Sequence, residues 1–261
     1  MGLADAEDSG VAIVRPDNRL PHQHRPMVIQ RGFLAHAEGS VFVTQGHTRV
    51  ICAASISGAL PEFRRGTGGG WVTAEYAMLP RATMTRSPRS AASSNKRSVE
   101  ISRFLGRCLR AVVDLSVLGP WLIQIDCDVV DADGGTRCAA LTGSFTAMQD
   151  AVRALARREN RADPLREAVV GISVASVDGR LVVDPSYDED HRASIDLTVA
   201  LTASRRIVEI HAASEAEPYA RETLDQMLDL ASEAAETPFA AQRGCGETGG
   251  SDDSGHRHGQ R

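Results

Sequence analysis

From residue 122 to residue 130 apolar and polar positions alternate, with Ile123, Ile125, Cys127 and Val129 set against Gln124, Asp126 and Asp128. A period of two predicts a half-buried strand, because successive side chains point to opposite faces of a sheet. Just before it the period is helical. From Ser98 the apolar positions Ile101, Phe104, Leu105, Cys108, Leu109 and Val112 recur at three and four residues, with Arg103, Arg107 and Arg110 on the other side. That spacing predicts an amphipathic helix with a basic outer face. A second helical stripe, Leu141, Phe145, Met148, Val152 and Leu155, follows the strand and should pack along that one stripe.

The remaining apolar runs pair as hairpins. Residues 41–44 and 50–56 are joined by Gln45-Gly46-His47-Thr48, and residues 169–177 and 181–184 flank Asp178-Gly179. An Asp-Gly pair tolerates the positive φ angles of a two-residue hairpin turn. Residues 195–201 are expected to pair with 207–212, and a closing helix is expected from Glu222, with Leu224, Met227, Leu228 and Ala231 inward. Residues 61–97 carry Gly66, Gly68, Gly69 and Gly70 and a Ser/Ala/Asn stretch from Ser90 to Asn95, and read as long loops. Hairpins interleaved with long helices make an α+β domain with helices packed on mixed sheet. It should span residues 15–242, between a flexible segment 1–14 and a Gly/Ser/Asp-rich, disordered tail 243–261.

A length of 261 residues suits one folded body. The formal net charge of −5 argues against a blanket attraction to nucleic acid, yet residues 60–110 hold ten basic side chains against three acidic ones. One face is therefore expected to be basic although the whole is acidic. Five cysteines with no C-x-x-C pair indicate neither a zinc site nor a disulfide framework and fit a reducing cytoplasm. An acidic N-terminus without a signal pattern, and no run of about 18 apolar residues, predict a protein that is not exported and does not enter a membrane. Dinucleotide, P-loop and nucleophile-elbow signatures are absent.

Two segments carry candidate chemistry. The strand at 122–130 runs through Asp133-Gly134-Gly135-Thr136-Arg137 into the next helix. Gly134 and Gly135 allow a tight turn, Thr136 offers a hydroxyl, Arg137 a planar donor fork, and the helix its unpaired N–H groups, which together suit an anion. Many glycine turns bind nothing, so the motif alone leaves both readings open. Asp196 sits in an alternating strand whose other face is Ile195, Leu197, Val199 and Leu201, and Asp190 lies six residues earlier. Such a pair is either solvated acid at a strand end or the metal-holding and proton-moving half of a phosphoryl-transfer site.

Longer blocks carry a resemblance: Arg15-Pro-Asp-Asn-Arg19, Arg25-Pro26, His36-Ala-Glu-Gly-Ser-Val41, Gly70-Trp-Val-Thr-Ala-Glu-Tyr-Ala-Met-Leu-Pro-Arg81, Gly106-Arg-Cys-Leu-Arg-Ala-Val-Val-Asp114 and Ile125-Asp-Cys-Asp-Val-Val-Asp-Ala-Asp-Gly-Gly-Thr-Arg137. From residue 15 to residue 234 the chain resembles the ribonuclease PH family of phosphate-dependent 3′ exoribonucleases. The resemblance implies a ribosomal S5 domain 2-like fold and trimming of tRNA 3′ ends by phosphorolysis, in which inorganic phosphate attacks the terminal phosphodiester and a nucleoside 5′-diphosphate leaves. It implies a phosphate site on Arg97, Gly135, Thr136 and Arg137, an acidic catalytic pair on Asp190 and Asp196 with Mg²⁺ beside it, and a hexameric ring built as a trimer of dimers. Arg64, Arg65, Arg81, Arg86 and Arg89 then suit contacts to RNA phosphates, which position a strand without reading its sequence. The chain departs from the family pattern at Met84, Asn95-Lys96, Ile195 and the segment 210–216. Those departures motivate two alternatives: a non-catalytic RNA-binding ring subunit, and a paralogue that phosphorolyses a small nucleotide.

Overall fold

The computed structural model describes residues 15–89, 95–215 and 217–244. The segment 1–14, residues 90–94, Ala216 and the tail from 245, with Cys245, His256 and His258, lie outside the described residues. Two sheets share one long helix. The first sheet contains β1 (Met27–Arg31), β2 (Gly39–Gln45), β3 (Thr48–Ser57), β4 (Trp71–Met78) and β5 (Leu122–Asp131), in the spatial order β1-β2-β3-β5-β4. Its pairings are antiparallel except for β4 with β5, so the sheet is mixed. The second sheet, antiparallel throughout, contains β6 (Val169–Val177), β7 (Arg180–Val183), β8 (Ala193–Thr202) and β9 (Ile207–Ser214), in the order β7-β6-β8-β9. The helices are α1 (Lys96–Ala111), α2 (Leu115–Leu118), α3 (Thr136–Arg158), α4 (Tyr187–Asp190), α5 (Arg221–Ala234) and α6 (Glu236–Gly244). This is the expected α+β architecture.

The expected loop region 61–97 holds a strand, β4. Val72, Ala74 and Tyr76 face the core, but alanine carries little hydrophobic signal, and the glycines just before Trp71 suggested irregular chain. α1 covers the open edge of β4: Arg110 Nη1 donates to the Val72 carbonyl at 2.7 Å, and Ser102 Oγ accepts from the Tyr76 N–H at 2.9 Å. Those bonds satisfy edge groups that a sheet would otherwise leave open to pairing.

α3 also differs from expectation. It packs on β2 and β3 on one side and on β6 on the other, so from Cys138 to Met148 every side chain is buried and the anticipated single stripe is only part of its contact surface. A further helix beyond the expected closing one, α6, carries Pro238 in its first turn, where a missing N–H costs nothing. α6 then runs to Gly244, two residues past the expected boundary, and Gln242 Nε2 ties it to the carbonyls of Thr142 and Val169 at 3.1 Å each. No helix among the described residues is long and apolar enough to cross a membrane.

Candidate active site

The turn between β5 and α3 is built on two left-handed residues, Gly134 at φ 71° and Gly135 at φ 65°. A side chain at Gly135 would be strained in its backbone, and its Cβ would lie 2.8 Å from Gln45 Nε2 and 3.1 Å from Asp184 Oδ1. The turn rests on a buried polar brace. Asp184 Oδ2 accepts from the Arg25 backbone N–H at 2.9 Å and from Arg25 Nε at 2.8 Å. Its Oδ1 accepts from Arg25 Nη2 at 2.7 Å and from Gln45 Nε2 at 2.6 Å. Thr48 Oγ1 donates to the Gly134 carbonyl at 2.6 Å and accepts from the Asp133 N–H at 2.9 Å. Burial alone would raise the Asp184 pKa, but His24 and the Arg25 guanidinium outweigh it and hold the carboxyl well below its ordinary value.

A second buried pair sets α4. Arg15 Nε and Nη2 donate to Glu189 at 2.7 and 2.9 Å, and Glu189 Oε2 accepts the Ser186 N–H at 2.9 Å in a capping box. Asp190 is the last residue of this short helix, so its position depends on an arginine 175 residues earlier in the chain. Arg15, Arg25, Gln45, Thr48, Asp184 and Glu189 were not anticipated as parts of the site. Arg15 and Arg25 entered only within blocks of resemblance, and nothing in a sequence marks which charged residues are buried and paired.

Gly135, Thr136 and Arg137 at the start of α3, Arg97 of α1, Asp190 of α4 and Asp196 of β8 line one cavity of about 80 Å³. Cys138, Ser173 and Thr198 complete its wall. Arg97 is exposed and makes no hydrogen bond or ion pair among the described residues. Arg137 donates Nη2 to Glu100 Oε2 at 2.7 Å and lies 5.6 Å from the centroid of the Phe104 ring. The buried Thr136 hydroxyl accepts from Tyr76 Oη at 2.9 Å, which leaves its own proton free to donate. Burial raises the pKa of both Asp190 and Asp196; the charge of Asp190 raises Asp196 further, while Arg97 opposes both shifts and Arg137 that of Asp196. Two carboxyl groups with raised pKa beside two arginines and a helix N-terminus have the chemistry to attract an anion and to carry a proton.

Among the described residues a cleft of about 860 Å³ between β1, α3 and α6 is far larger. Its Arg31, Arg153 and Arg243 are paired with Asp150, Asp163 and Glu236, its Arg157 is exposed, and neither the glycine turn nor the Asp190–Asp196 pair lines it, so we place the chemistry in the small cavity. The five loop arginines are not gathered at that cavity. Arg64 donates to the Gly70 carbonyl at 3.2 Å and stacks on Trp71, and Arg65 donates to the Leu60 carbonyl at 3.2 Å. Both lie where β4 begins, alongside the start of β5, whereas the glycine turn follows its other end, about 30 Å away at the rise of a strand. Arg81 lies with Met84 near the 46–49 turn, Arg89 near Asp128, and Arg86 is exposed.

Two family models match the chain: 3′ exoribonuclease family, domain 1, over residues 23–154, and domain 2 over residues 167–234. The ribonuclease PH of Mycobacterium tuberculosis strain H37Rv is 49% identical over 233 residues, 88% of this chain and 90% of that protein. The chain belongs to the ribonuclease PH family. It is therefore a phosphate-dependent 3′ exoribonuclease, as the sequence blocks implied. The ribonuclease PH of Mycobacterium avium strain 104 is 48% identical with the same coverage. The fold is shared with the Archaeoglobus fulgidus exosome with RNA bound to its active site, at TM-score 0.72 and 24% identity over 85% of this chain and 90% of that one. An archaeal exosome core superposes at TM-score 0.70 and 22% identity, over 87% and 90% of the two chains. Within the ribonuclease PH fold each sheet supplies half of the cavity, β5 leading into the turn and β8 carrying Asp196.

Proposed function

We propose that Arg97, Arg137, Thr136 and the Gly135 turn hold the attacking inorganic phosphate, that Asp190 and Asp196 serve the leaving group, and that the substrate is the 3′ end of tRNA. The observation that carries this reading is the convergence of Arg97, which has no ion pair among the described residues, the α3 N-terminus and both carboxylates on one cavity. A phosphate oxygen attacks the phosphorus of the terminal phosphodiester, the bond to O3′ of the preceding nucleotide breaks, and a nucleoside 5′-diphosphate leaves. One phosphate ester replaces another, so catalysis consists mainly of alignment and of charge neutralisation between two anions. Arg97 and Arg137 supply positive charge, and Thr136, oriented by Tyr76, supplies a donor. One carboxyl of the acidic pair, its pKa raised, carries the proton that O3′ must receive.

Among the described residues no three His, Cys, Asp or Glu side chains cluster as a metal cage. A pair of carboxylates suits Mg²⁺ nonetheless, since that ion keeps several waters and takes its other ligands from substrate phosphates. Asp190 and Asp196 would hold it, and its charge would offset the negative charge that develops during transfer. The exosome neighbour with RNA bound to its active site supports RNA as the ligand, and the assembly we propose is a hexameric ring, a trimer of dimers. Four buried cysteines left as free thiols fit the cytoplasm.

The test uses a tRNA with a short labelled 3′ extension, Mg²⁺ and inorganic phosphate. Release of labelled nucleoside diphosphates that needs phosphate and stops near the mature end is expected. Equal or faster digestion of an unstructured oligonucleotide, running through to its 5′ end, would overturn the tRNA assignment.

A further inference from the structure

Ser173 sits on β6, is 6% exposed, and among the described residues its Oγ has no oxygen or nitrogen partner; the Cys138 thiol, a weak partner, is the polar group beside it. Buried hydroxyls are almost always paired, because leaving one unpaired forfeits its hydration without return. Its surroundings are otherwise fixed: the Ser173 carbonyl accepts the Asp184 N–H at 2.8 Å, which couples this position to the brace under the glycine turn. In the sheet Ser173 lies opposite Thr198, and Ala175 opposite Asp196, so by the two-residue period Ser173, Thr198 and Asp196 share one face. The first turn of α3 comes down on that face. A Cβ at Gly171, two residues before Ser173, would be 2.8 Å from Cys138 Cα. With Gly171 and Ala175 flanking it, Ser173 is the one hydroxyl that β6 offers to the cavity lined by Arg97, Thr136 and Arg137.

We infer that Ser173 is a further ligand of the attacking phosphate, donating its Oγ–H to the anion from the β6 side in place of the weak contact with the Cys138 thiol, while α3 and Arg97 hold it from the others. The inference rests on the phosphate reading of this cavity given above. It assigns to the second sheet a binding role beyond its carboxylates, and it makes the phosphate bridge both halves of the domain. The ligand class is a tetrahedral oxyanion, met as free phosphate in phosphorolysis and as the β-phosphate of a nucleoside diphosphate in the reverse reaction.

The experiment is a steady-state comparison of Ser173→Ala, Arg137→Ala and the unaltered protein, with phosphate and RNA varied separately. The rise in melting temperature on adding inorganic phosphate is measured without RNA. Ser173→Ala should raise KM for phosphate by roughly 10- to 150-fold, the range for one lost hydrogen bond to a charged group, leave KM for RNA unchanged, and shrink the phosphate-induced melting shift. If only Arg137→Ala raises KM for phosphate, Ser173 is not a ligand and the cavity reading stands. If neither does, the phosphate reading fails and takes the inference with it. Equal rises of both KM values in Ser173→Ala, with a lowered melting temperature before phosphate is added, would mark Ser173 as structural and overturn the inference.

Discussion

Arg137 donates to Glu100 at 2.7 Å across the gap between α3 and α1. The carboxylate aims the guanidinium, yet it also places a negative charge beside the cavity in which an anion must bind. Glu100→Gln keeps a hydrogen-bond acceptor for Arg137 and removes the charge. Because the Glu100 side chain is 40% exposed, solvent screens most of the effect, and KM for phosphate should fall only about two- to fourfold at low ionic strength. The gain should vanish as salt is raised. A KM that rises instead would mean that orientation of Arg137 outweighs charge.

Asp184→Asn should unfold the brace before it touches chemistry. Asp184 is fully buried and receives four hydrogen bonds, three of them from Arg25. Removing its charge leaves the buried Arg25 guanidinium with only the more exposed Asp133, at 3.4 Å, as a counter-ion, which costs up to about 3–5 kcal/mol. Its folded pKa lies below the ordinary carboxylate value, so the unfolded chain takes up the proton first. The stabilisation is complete above about pH 5 and is lost as pH falls below about 4 toward the folded value. Urea unfolding of the unaltered protein should therefore show a steep loss of stability in that acid range. The variant should be weaker at pH 7 and flatter below pH 4, and an equally steep acid limb in the variant would refute the assignment.

The fold was legible wherever burial is one-sided. β5, with Ile123, Ile125, Cys127 and Val129 buried and Asp126 and Asp128 exposed, follows its alternation residue by residue, and the Asp178-Gly179 turn joins β6 to β7 where expected. β4 was not legible, because its inward Ala74 carries little hydrophobic signal and its free edge is closed by side chains of α1, a tertiary fact. Of the cavity's residues, Arg97, Gly135, Thr136, Arg137, Asp190 and Asp196 were readable from local chemistry and from resemblance, whereas Cys138, Ser173 and Thr198 were not. The brace was not: Arg25 and Asp184 are 159 positions apart, and their significance comes from burial and pairing, which no local pattern encodes.

Asp196→Asn should separate stability from turnover. Burial and the neighbouring Asp190 raise the folded pKa of Asp196, so its ionised form is disfavoured in the folded state relative to the unfolded one. That penalty is absent at low pH, where the group is protonated, and grows as pH rises through the folded value. At pH 7 the amide should give a slightly higher melting temperature together with a loss of turnover of at least about 100-fold, the usual scale for a lost acid or metal ligand. RNA binding should persist. Retained turnover would remove Asp196 from the machinery, and a lowered melting temperature would contradict the electrostatic argument.

Gly135→Ala tests whether the cradle is shaped by backbone freedom or by crowding, and Gly66→Ala supplies the contrast. Both glycines have left-handed backbone, at φ 65° and φ 75°, so each substitution carries the same conformational strain of about 1–2 kcal/mol. A Cβ at Gly66 meets nothing within 4 Å, whereas at Gly135 it meets Gln45 Nε2 at 2.8 Å and the Arg25–Asp184 pair at 3.1 Å. That pair is buried and fully engaged, so it yields only by stretching its own hydrogen bonds. Gly66→Ala should therefore cost strain alone and leave KM for phosphate unchanged. Gly135→Ala should cost about 1–3 kcal/mol more and raise KM for phosphate, because the N-terminus of α3 is displaced from the cavity. Denaturant unfolding and phosphate titration of the two variants decide the matter. Equal losses of stability would show that backbone strain accounts for both and that the brace gives way without cost.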